Sequence, residues 1–394
     1  MKERICIVVG GGYAGIHAIK AIRKTFEGKA NKHALRIIVM DQNPFHTRKV
    51  LLFKPAVTNE DIRIPLTKLF PEDVEFIQGT AKNIESVDKK LNYQDGAGKL
   101  KSMHYDMIVV AIGSIVRQPD IAQGGIALAS LDASHTIKET WHANLKKAFI
   151  ETDATERQRL MTIAIGGAGI SGMETAAELA HYVSKEAESI GLDPSRVRIH
   201  LFNSNKSLFP AGPSKVGLIL ERSLRTSGVT VTHDVKIVQE NEGVLTLSSG
   251  KKIPVGLCIW TLGLLPNPML RNFGLPITLD GHLIVDTNYR VEGACGVYSI
   301  GDCARIVDSA SGQTDGKTCK EAIAQATRLA KIVLADLEGR PAPEHKRYMD
   351  FFCFGLGPNQ GMAWTQICGF HFIFTGKLGR GLRKFTWNSA SLLK

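Results

Sequence analysis

Near the start of the chain, Gly10-Gly11-Gly12-Tyr13-Ala14-Gly15 can hold a phosphate by main chain alone. In this pattern Gly10 permits a tight turn, Gly12 lets the backbone come close to a pyrophosphate, and Gly15 lets a helix pack closely on the preceding strand. The N-terminus of the helix then meets the phosphate charge with its unpaired N–H groups. Asp41, at the end of a later apolar run, can accept both hydroxyls of a ribose. The constellation recurs at Gly167-Ala168-Gly169-Ile170-Ser171-Gly172. Two such cradles imply two dinucleotides on one chain, and the simplest chemistry for them is hydride transfer.

The elements that must position these residues follow the same pattern twice. Ile5–Val9 is a short β-branched run, Ile16, Ile19, Ile22 and Phe26 recur at helical spacing, and Leu35–Met40 runs into Asp41. That is strand, glycine turn, helix, strand, acid. Met161–Ile165, a helix over Met173–Tyr182 and a strand over Arg198–Phe202 repeat it. Between the two units Val74–Gly79, Ala81–Val87 and Lys99–Asp106 alternate like a small antiparallel layer, with Asp95-Gly96 as a turn. Tyr105–Ser114 is a buried strand ending in small residues, suited to a chain passing close to a cofactor. Gly296–Ala304 is a strand ending in Gly301-Asp302, and a helix is expected from about Thr318 to Leu337. The fold class is α/β, with two Rossmann-like dinucleotide-binding units and a short C-terminal cap.

The 394 residues exceed one hydrophobic core, and the 44% hydrophobic and 22% charged fractions exclude a largely disordered chain. The seven cysteines form no CxxC, which argues against a zinc ribbon or a thioredoxin-type pair and for reduced thiols. Cys303 and Cys319 read as small buried hydrophobes rather than reactive groups. No signal peptide is expected, and the longest apolar stretch, Met107–Val116, is about half the length of a membrane span. The formal charge is +11, and residues 351–394 carry five basic and no acidic residues with nine of the 27 aromatics. Such an end suits an anionic surface or a solvated basic face.

Together these residues resemble the two-dinucleotide flavoproteins related to glutathione reductase, over about residues 4 to 335. The resemblance implies that Gly10, Gly12, Gly15 and Asp41 hold FAD, that the segment containing Ala111 and Gly113 crosses between domains, and that Gly301-Asp302 reaches the ribityl chain. It implies that Gly167, Gly169 and Gly172 hold NADH or NADPH, with Gly263 near the boundary of that domain. The implied domains are 1–120 with 275–340 for FAD, 150–265 for NAD(P)H, and 345–394 as a C-terminal domain. No cysteine lies between positions 6 and 258, so the dithiol branches do not fit. Asn43-Pro44-Phe45-His46-Thr47 resembles the stretch after the FAD acid in type II NADH dehydrogenases and in apoptosis-inducing-factor-like quinone reductases, which adds His46 and Thr47 to the FAD residues. In that group the carboxylate matching Glu174 lies near flavin and nicotinamide, although a first-turn glutamate is also favoured by the helix dipole alone. Thr318–Gln325 sits where the group has its quinone-side helix, commonly with two glutamines four residues apart. Here Glu321 stands in the first place and Gln325 matches the second, with Ala322 beside the FAD.

The expected function is therefore an FAD-dependent NAD(P)H:quinone oxidoreductase without proton pumping, with Glu174, Glu321 and Gln325 as its catalytic candidates. The alternatives are a reductase of a small electron-carrier protein, of the ferredoxin or rubredoxin type, and an NAD(P)H-sensing flavoprotein. Asn203 stands where NAD-preferring relatives place an acid. It can bond a ribose hydroxyl without repelling a 2′-phosphate, so NADH is expected with NADPH tolerated. No metal and no nucleic-acid partner are expected, and a homodimer is left open. The expected location is cytoplasmic, peripheral on the inner face of the cell membrane. Phe370, Phe372, Phe374, Leu378, Leu382, Phe385 and Trp387, set among Lys377, Arg380, Arg383 and Lys384, would form a surface docking on anionic lipid. Gly376, Gly379 and Gly381 count against a helix there.

Overall fold

A computed structural model describes residues 3–28, 34–70 and 73–393. Six helices carry the argument: α1 (Tyr13–Phe26), α2 (Leu131–Ile150), α3 (Ile170–Ser189), α4 (Ser214–Thr226), α5 (Cys319–Leu337) and α6 (Gly376–Ala390). In the first sheet Arg4–Val9 lies between Leu35–Asp41 and Met107–Val110, both parallel to it, and Val297–Ser299 closes one edge. The apolar run of the first strand is explained by burial on both faces. Cys6 and Val8 point to the layer made by α1 and α5, while Ile7 and Val9 point to Tyr93, Leu270, Phe273 and Leu283.

One expectation is corrected on the other side of this sheet. The two segments read as Val74–Gly79 and Ala81–Val87 are one long strand, Val74–Glu85, with an irregular register between Ala81 and Asn83. Its first half pairs parallel with Leu35–Asp41 and its second half antiparallel with Lys90–Asp95. A bulge re-aims a strand without ending it, which an alternation pattern reads as a break.

The second sheet is wholly parallel, in the order Ile126–Ala127, Leu257–Trp260, Thr162–Gly166, Arg198–Phe202, Val229–Thr232. Since Ile126–Ala127 and α2 belong to it, this unit starts near residue 126 rather than 150. Helices α2, α3 and α4 cover one face, and a small antiparallel layer around Leu245 and Leu247 covers the other. The chain passes between the two sheets through Ser114–Val116 and returns through Leu264–Pro266, which pair antiparallel with each other.

Three antiparallel strands, Phe351–Gly355, Gly361–Ile367 and Phe370–Thr375, form a third layer, with α6 packed on it. The glycines of α6 do not prevent the helix, because one of them is required. A Cβ on Gly379 would stand 2.3 Å from the Gly361 carbonyl oxygen, so only glycine lets helix and strand approach this closely. Phe354, Trp364 and Trp387 of this layer share a core with the second sheet and with Leu51–Ile62.

Candidate functional site

The two glycine motifs have one geometry. Gly10 has φ +112° and Gly167 φ +108°, so both first glycines stand in a backbone region that L side chains rarely adopt. A Cβ on Gly10 would come within 2.4 Å of the Ala111 carbonyl oxygen, and one on Gly167 within 2.4 Å of the Thr261 carbonyl oxygen. The third glycine is closer still: a Cβ would lie 1.8 Å from the Gly10 carbonyl oxygen at Gly15 and 1.9 Å from the Gly167 carbonyl oxygen at Gly172. The middle glycines differ, since nothing lies within 4 Å of a Cβ built on Gly12 or Gly169. Each cradle is thus closed behind and open in front, at the start of a long helix whose first N–H groups face the opening. Both fit a pyrophosphate.

Around the first cradle the sequence-chosen residues converge. Asp41 ends its strand with Oδ2 accepting from Gly11 N at 2.7 Å and Oδ1 from Asn43 N at 2.8 Å, so the carboxylate braces the turn and keeps lone pairs for a ribose. Burial raises its pKa. His46 is buried beside Tyr13, whose ring meets it edge-on at 4.8 Å. Its Nδ1 lies 2.9 Å from the Gly11 carbonyl oxygen, which can only accept, so Nδ1 carries the proton. The buried Nε2 then offers a lone pair with no partner among the described residues, as expected beside a cofactor donor. Burial pushes the pKa of His46 down to about 4, which keeps the ring neutral. Thr47 is half-buried and paired with Arg63 in a short two-stranded ribbon.

Gly301 stands against the start of α1, where a Cβ would meet the Ala14 methyl at 2.8 Å. Asp302 beside it accepts from Ser114 Oγ at 2.6 Å, and Lys49 Nζ donates to the Ser114 carbonyl oxygen at 3.2 Å. Burial raises the Asp302 pKa. Gly113 has open space at its α-carbon, as does Gly263, whose carbonyl oxygen accepts from Arg117 N at 2.9 Å at the crossing between the sheets. Ala322 is buried against α1.

The three residues expected to be catalytic are each held by hydrogen bonds within the protein. Gln325 is buried, and its amide is engaged at both ends: Oε1 accepts from Gly301 N at 2.8 Å and Nε2 donates to Asp315 Oδ2 at 2.8 Å. It braces the Gly301-Asp302 turn. Glu321 closes a capping box with Thr318. Its Oε1 accepts from Gly316 N at 2.7 Å, and its Oε2 accepts from Thr318 Oγ1 at 2.8 Å. Such bonds hold the first turn of α5 in place. Glu174 is 1% exposed on α3, where Oε1 accepts from Gly355 N at 2.7 Å and from Arg383 Nε at 2.8 Å, and Oε2 from Arg383 Nη2 at 2.9 Å. It bolts the third layer to the second sheet.

One turn further along α3, Glu178 forms a second buried ion pair, with Lys54 Nζ at 2.6 Å from its Oε1. Asn203 is buried with its amide turned inward. Nδ2 donates to the Ser207 carbonyl oxygen and meets His233 Nδ1, each at 2.9 Å, and Oδ1 accepts from Asn205 N. It organises the turn after its strand more than it presents a hydrogen-bonding group to solvent.

Sequence reasoning missed Arg383, Lys54 and the clamp at the chain's end. Arg48 donates to Asn388 Oδ1 at 3.0 Å and to Ser391 Oγ at 3.2 Å, and His17 Nε2 donates to the Ala390 carbonyl oxygen at 3.0 Å. The end of α6 thus rests on the helix that begins at the first cradle. Two residues assigned to a lipid-facing surface are corrected here. Arg383 is buried on Glu174, and Trp387 is buried against Phe53 at 5.9 Å between ring centres, with the Arg380 and Arg383 guanidinium groups over its own ring.

A model of the pyridine nucleotide-disulphide oxidoreductase family matches residues 4–326. The demethylphylloquinone reductase NdbB of Synechocystis sp. is 28% identical over 356 residues, covering 86% of this chain and 81% of the relative. A type II NADH:quinone oxidoreductase of Staphylococcus aureus is 22% identical over 365 residues, covering 91% and 88%. Among solved structures, NDH2 of Plasmodium falciparum in complex with NADH superposes with a TM-score of 0.80 at 15% identity, covering 98% of this chain and 94% of that one. At that identity the likeness shows the fold.

Proposed function

This chain belongs to the pyridine nucleotide-disulphide oxidoreductase family, and we propose that it is an FAD-dependent NAD(P)H:quinone oxidoreductase of the type II kind. The observation that carries this reading is the pair of equivalent cradles, one on each sheet, with the crossing strands Ser114–Val116 and Leu264–Pro266 between them. The quinone as acceptor is supported by the activities for which the Synechocystis and Staphylococcus relatives are named.

When bound, the flavin supplies the redox chemistry, accepting a hydride from the nicotinamide and passing two electrons to the quinone. The rest is done by the protein. Gly10–Gly15 and the start of α1 would hold the FAD pyrophosphate, Asp41 would take the ribose, and the lone pair of His46 Nε2 would accept from the same cofactor. Ser114, Gly301 and Asp302 would line the flavin part of the site, and Gln325 holds the Gly301-Asp302 turn rigid. Gly167–Gly172 and α3 take the nicotinamide dinucleotide. Asn203, engaged with its own turn, leaves no carboxylate at the strand end to repel a 2′-phosphate, so NADPH is accepted beside NADH.

The protein docks peripherally on the inner face of the cell membrane, through the exposed part of the surface expected from the sequence, without Arg383 and Trp387. Among the described residues no helix is long and apolar enough to cross a bilayer. The third layer exposes Ile367, Phe370, Phe372, Leu378 and Phe385, with Lys377 and Lys384 exposed beside them. Lys394, counted with the basic tail, lies outside the described residues. A lipid-borne quinone reaches the protein only where it meets the headgroups, and this apolar, basic face is suited to that contact.

Anaerobic mixing with NADH should bleach the flavin, and a short-chain quinone should restore its colour within the turnover time. Rapid bleaching with no reoxidation by any quinone overturns the reading.

A further inference from the structure

Lys320, the second residue of α5, is set where a lysine is electrostatically out of place. The N-terminus of a long helix carries partial positive charge, and Arg383 adds a full one close by. The side chain makes no ion pair or hydrogen bond with the described residues, and its ammonium lies over two aromatic rings, 4.7 Å from the centre of Phe351 and 5.1 Å from that of Phe352. Phe352 in turn stacks on Trp364 and meets Phe209.

The carboxylate facing it is already in use: both oxygens of Glu321 accept from Gly316 and Thr318. The titratable and charged groups facing the ammonium are Cys319 and Glu321 on its own helix, Cys353 on the strand Phe351–Gly355 and Arg383 on α6. Burial is the largest effect on its pKa, and it lowers it. The neighbouring Cys319 lies close enough to Asp302, Arg383 and Tyr13 to feel or affect their charge. This first turn of α5 therefore stands between the first cradle and the third layer, with a flat aromatic wall on one side.

We propose that Lys320 is a catalytic residue of the acceptor half-reaction: its ammonium binds one carbonyl oxygen of the quinone and delivers the proton that completes the hydroquinone. The inference rests on the quinone reading above. It closes the proton balance of that reaction, in which NADH, a proton and quinone give NAD⁺ and hydroquinone. The nicotinamide supplies a hydride, which is two electrons and one proton. Lys320 supplies the second proton, its N–H bond breaking as the O–H bond of the hydroquinone forms, and the neutral amine regains a proton from water. A lysine with a lowered pKa suits this exchange near neutral pH better than an ordinary one.

The test uses holoenzyme and takes the two half-reactions apart. In K320M, flavin reduction by NADH should stay within twofold of wild type while reoxidation by a short-chain quinone falls by about 10²-fold. K320R should bind an unreactive quinone analogue as tightly as wild type, by quenching of protein fluorescence, yet reoxidise slowly. With the lysines of wild type carrying ¹³C-methyl groups, one NMR resonance should titrate well below the others and be missing from K320R. Reoxidation of K320M within twofold of wild type overturns the proposal, as does equal slowing of both half-reactions or a shifted flavin midpoint potential. Should K320M fail to take up FAD, the titration and K320R decide, and an ordinary titration of every lysine overturns it. A wild-type enzyme that no quinone reoxidises would instead refute the functional reading.

Discussion

Removing Arg383 should loosen the third layer from the second sheet, by an amount set by what is left behind. Glu174 is 1% exposed and loses two of its three hydrogen bonds, keeping only that from Gly355 N. Stranding one member of a buried pair costs about 3–5 kcal/mol, because the remaining charge must be neutralised or hydrated where no water reaches it. With unfolding entropy scaling with chain length, that corresponds for 394 residues to a fall in Tm of about 4–6 °C in R383M. R383K should recover only part of it, since an ammonium cannot make the two-point contact of a guanidinium with both carboxylate oxygens. The double variant E174M/R383M, with no charge left to strand, should regain most of the loss. Thermal unfolding of wild type, R383M, E174M, R383K and the double variant, followed by fluorescence and with tryptic cleavage after Lys377 and Arg380 as a local probe, measures the cycle. A Tm for R383M within 1 °C of wild type (about 1 kcal/mol on the same scale), or a double variant showing the sum of the two single losses, would falsify the argument.

Four other outcomes follow from the same geometry. G12V should fold with an unchanged apoprotein Tm and purify without flavin, because a Cβ there meets nothing within 4 Å and only the cofactor's space is filled; G15V should be insoluble or strongly destabilised, its Cβ lying 1.8 Å from a carbonyl oxygen. His46, lowered by burial from 6.5 to about 4, binds a proton in the unfolded chain that the native state refuses between those values. Its contribution of roughly 3 kcal/mol is thus full above pH 6.5 and lost as pH falls toward 4, so H46Q apoprotein should show a flatter Tm between pH 7 and pH 5 than wild type. Wild type should use NADPH with a kcat/KM within about tenfold of that for NADH, and N203D should lose NADPH selectively, with steady-state kinetics as the check. In vesicle flotation the protein should bind anionic but not neutral liposomes, and K377Q/K384Q or F370S/F385S should abolish binding that R380Q leaves largely intact; indifference to lipid charge counts against docking.

What the sequence made legible was local. Each glycine motif is written in six consecutive residues, because a turn, a phosphate site and a helix start are all made within that length, and the structure builds a tight turn and a helix start at both. The buried ion pairs were not legible, since Glu174 and Arg383 are 209 residues apart and Lys54 and Glu178 are 124 apart, and nothing in either neighbourhood marks its partner. Gln325 was read as facing a substrate because it sits on the right helix. Which way it points depends on the Gly301 turn and Asp315, both brought to it by the fold.

The C-terminal helix lies between these cases, because its orientation was in the sequence but carried by a residue read only as a helix breaker. Gly379 must face the Gly361 backbone, and on an α-helix the positions four, seven and eleven residues further on face the same way. Those are Arg383, Thr386 and Ala390, all buried. Trp387, beside Thr386, falls within the same stripe and is buried too. The opposite face then holds the pairs Lys377 with Lys384 and Leu378 with Phe385, each seven residues apart and exposed. Grouping by residue type had placed Arg383 and Trp387 at the lipid because one is basic and the other aromatic. Fixing the rotation from the smallest residue instead puts both inside and leaves the helix a narrower exposed face of two lysines, a leucine and a phenylalanine for the proposed membrane contact.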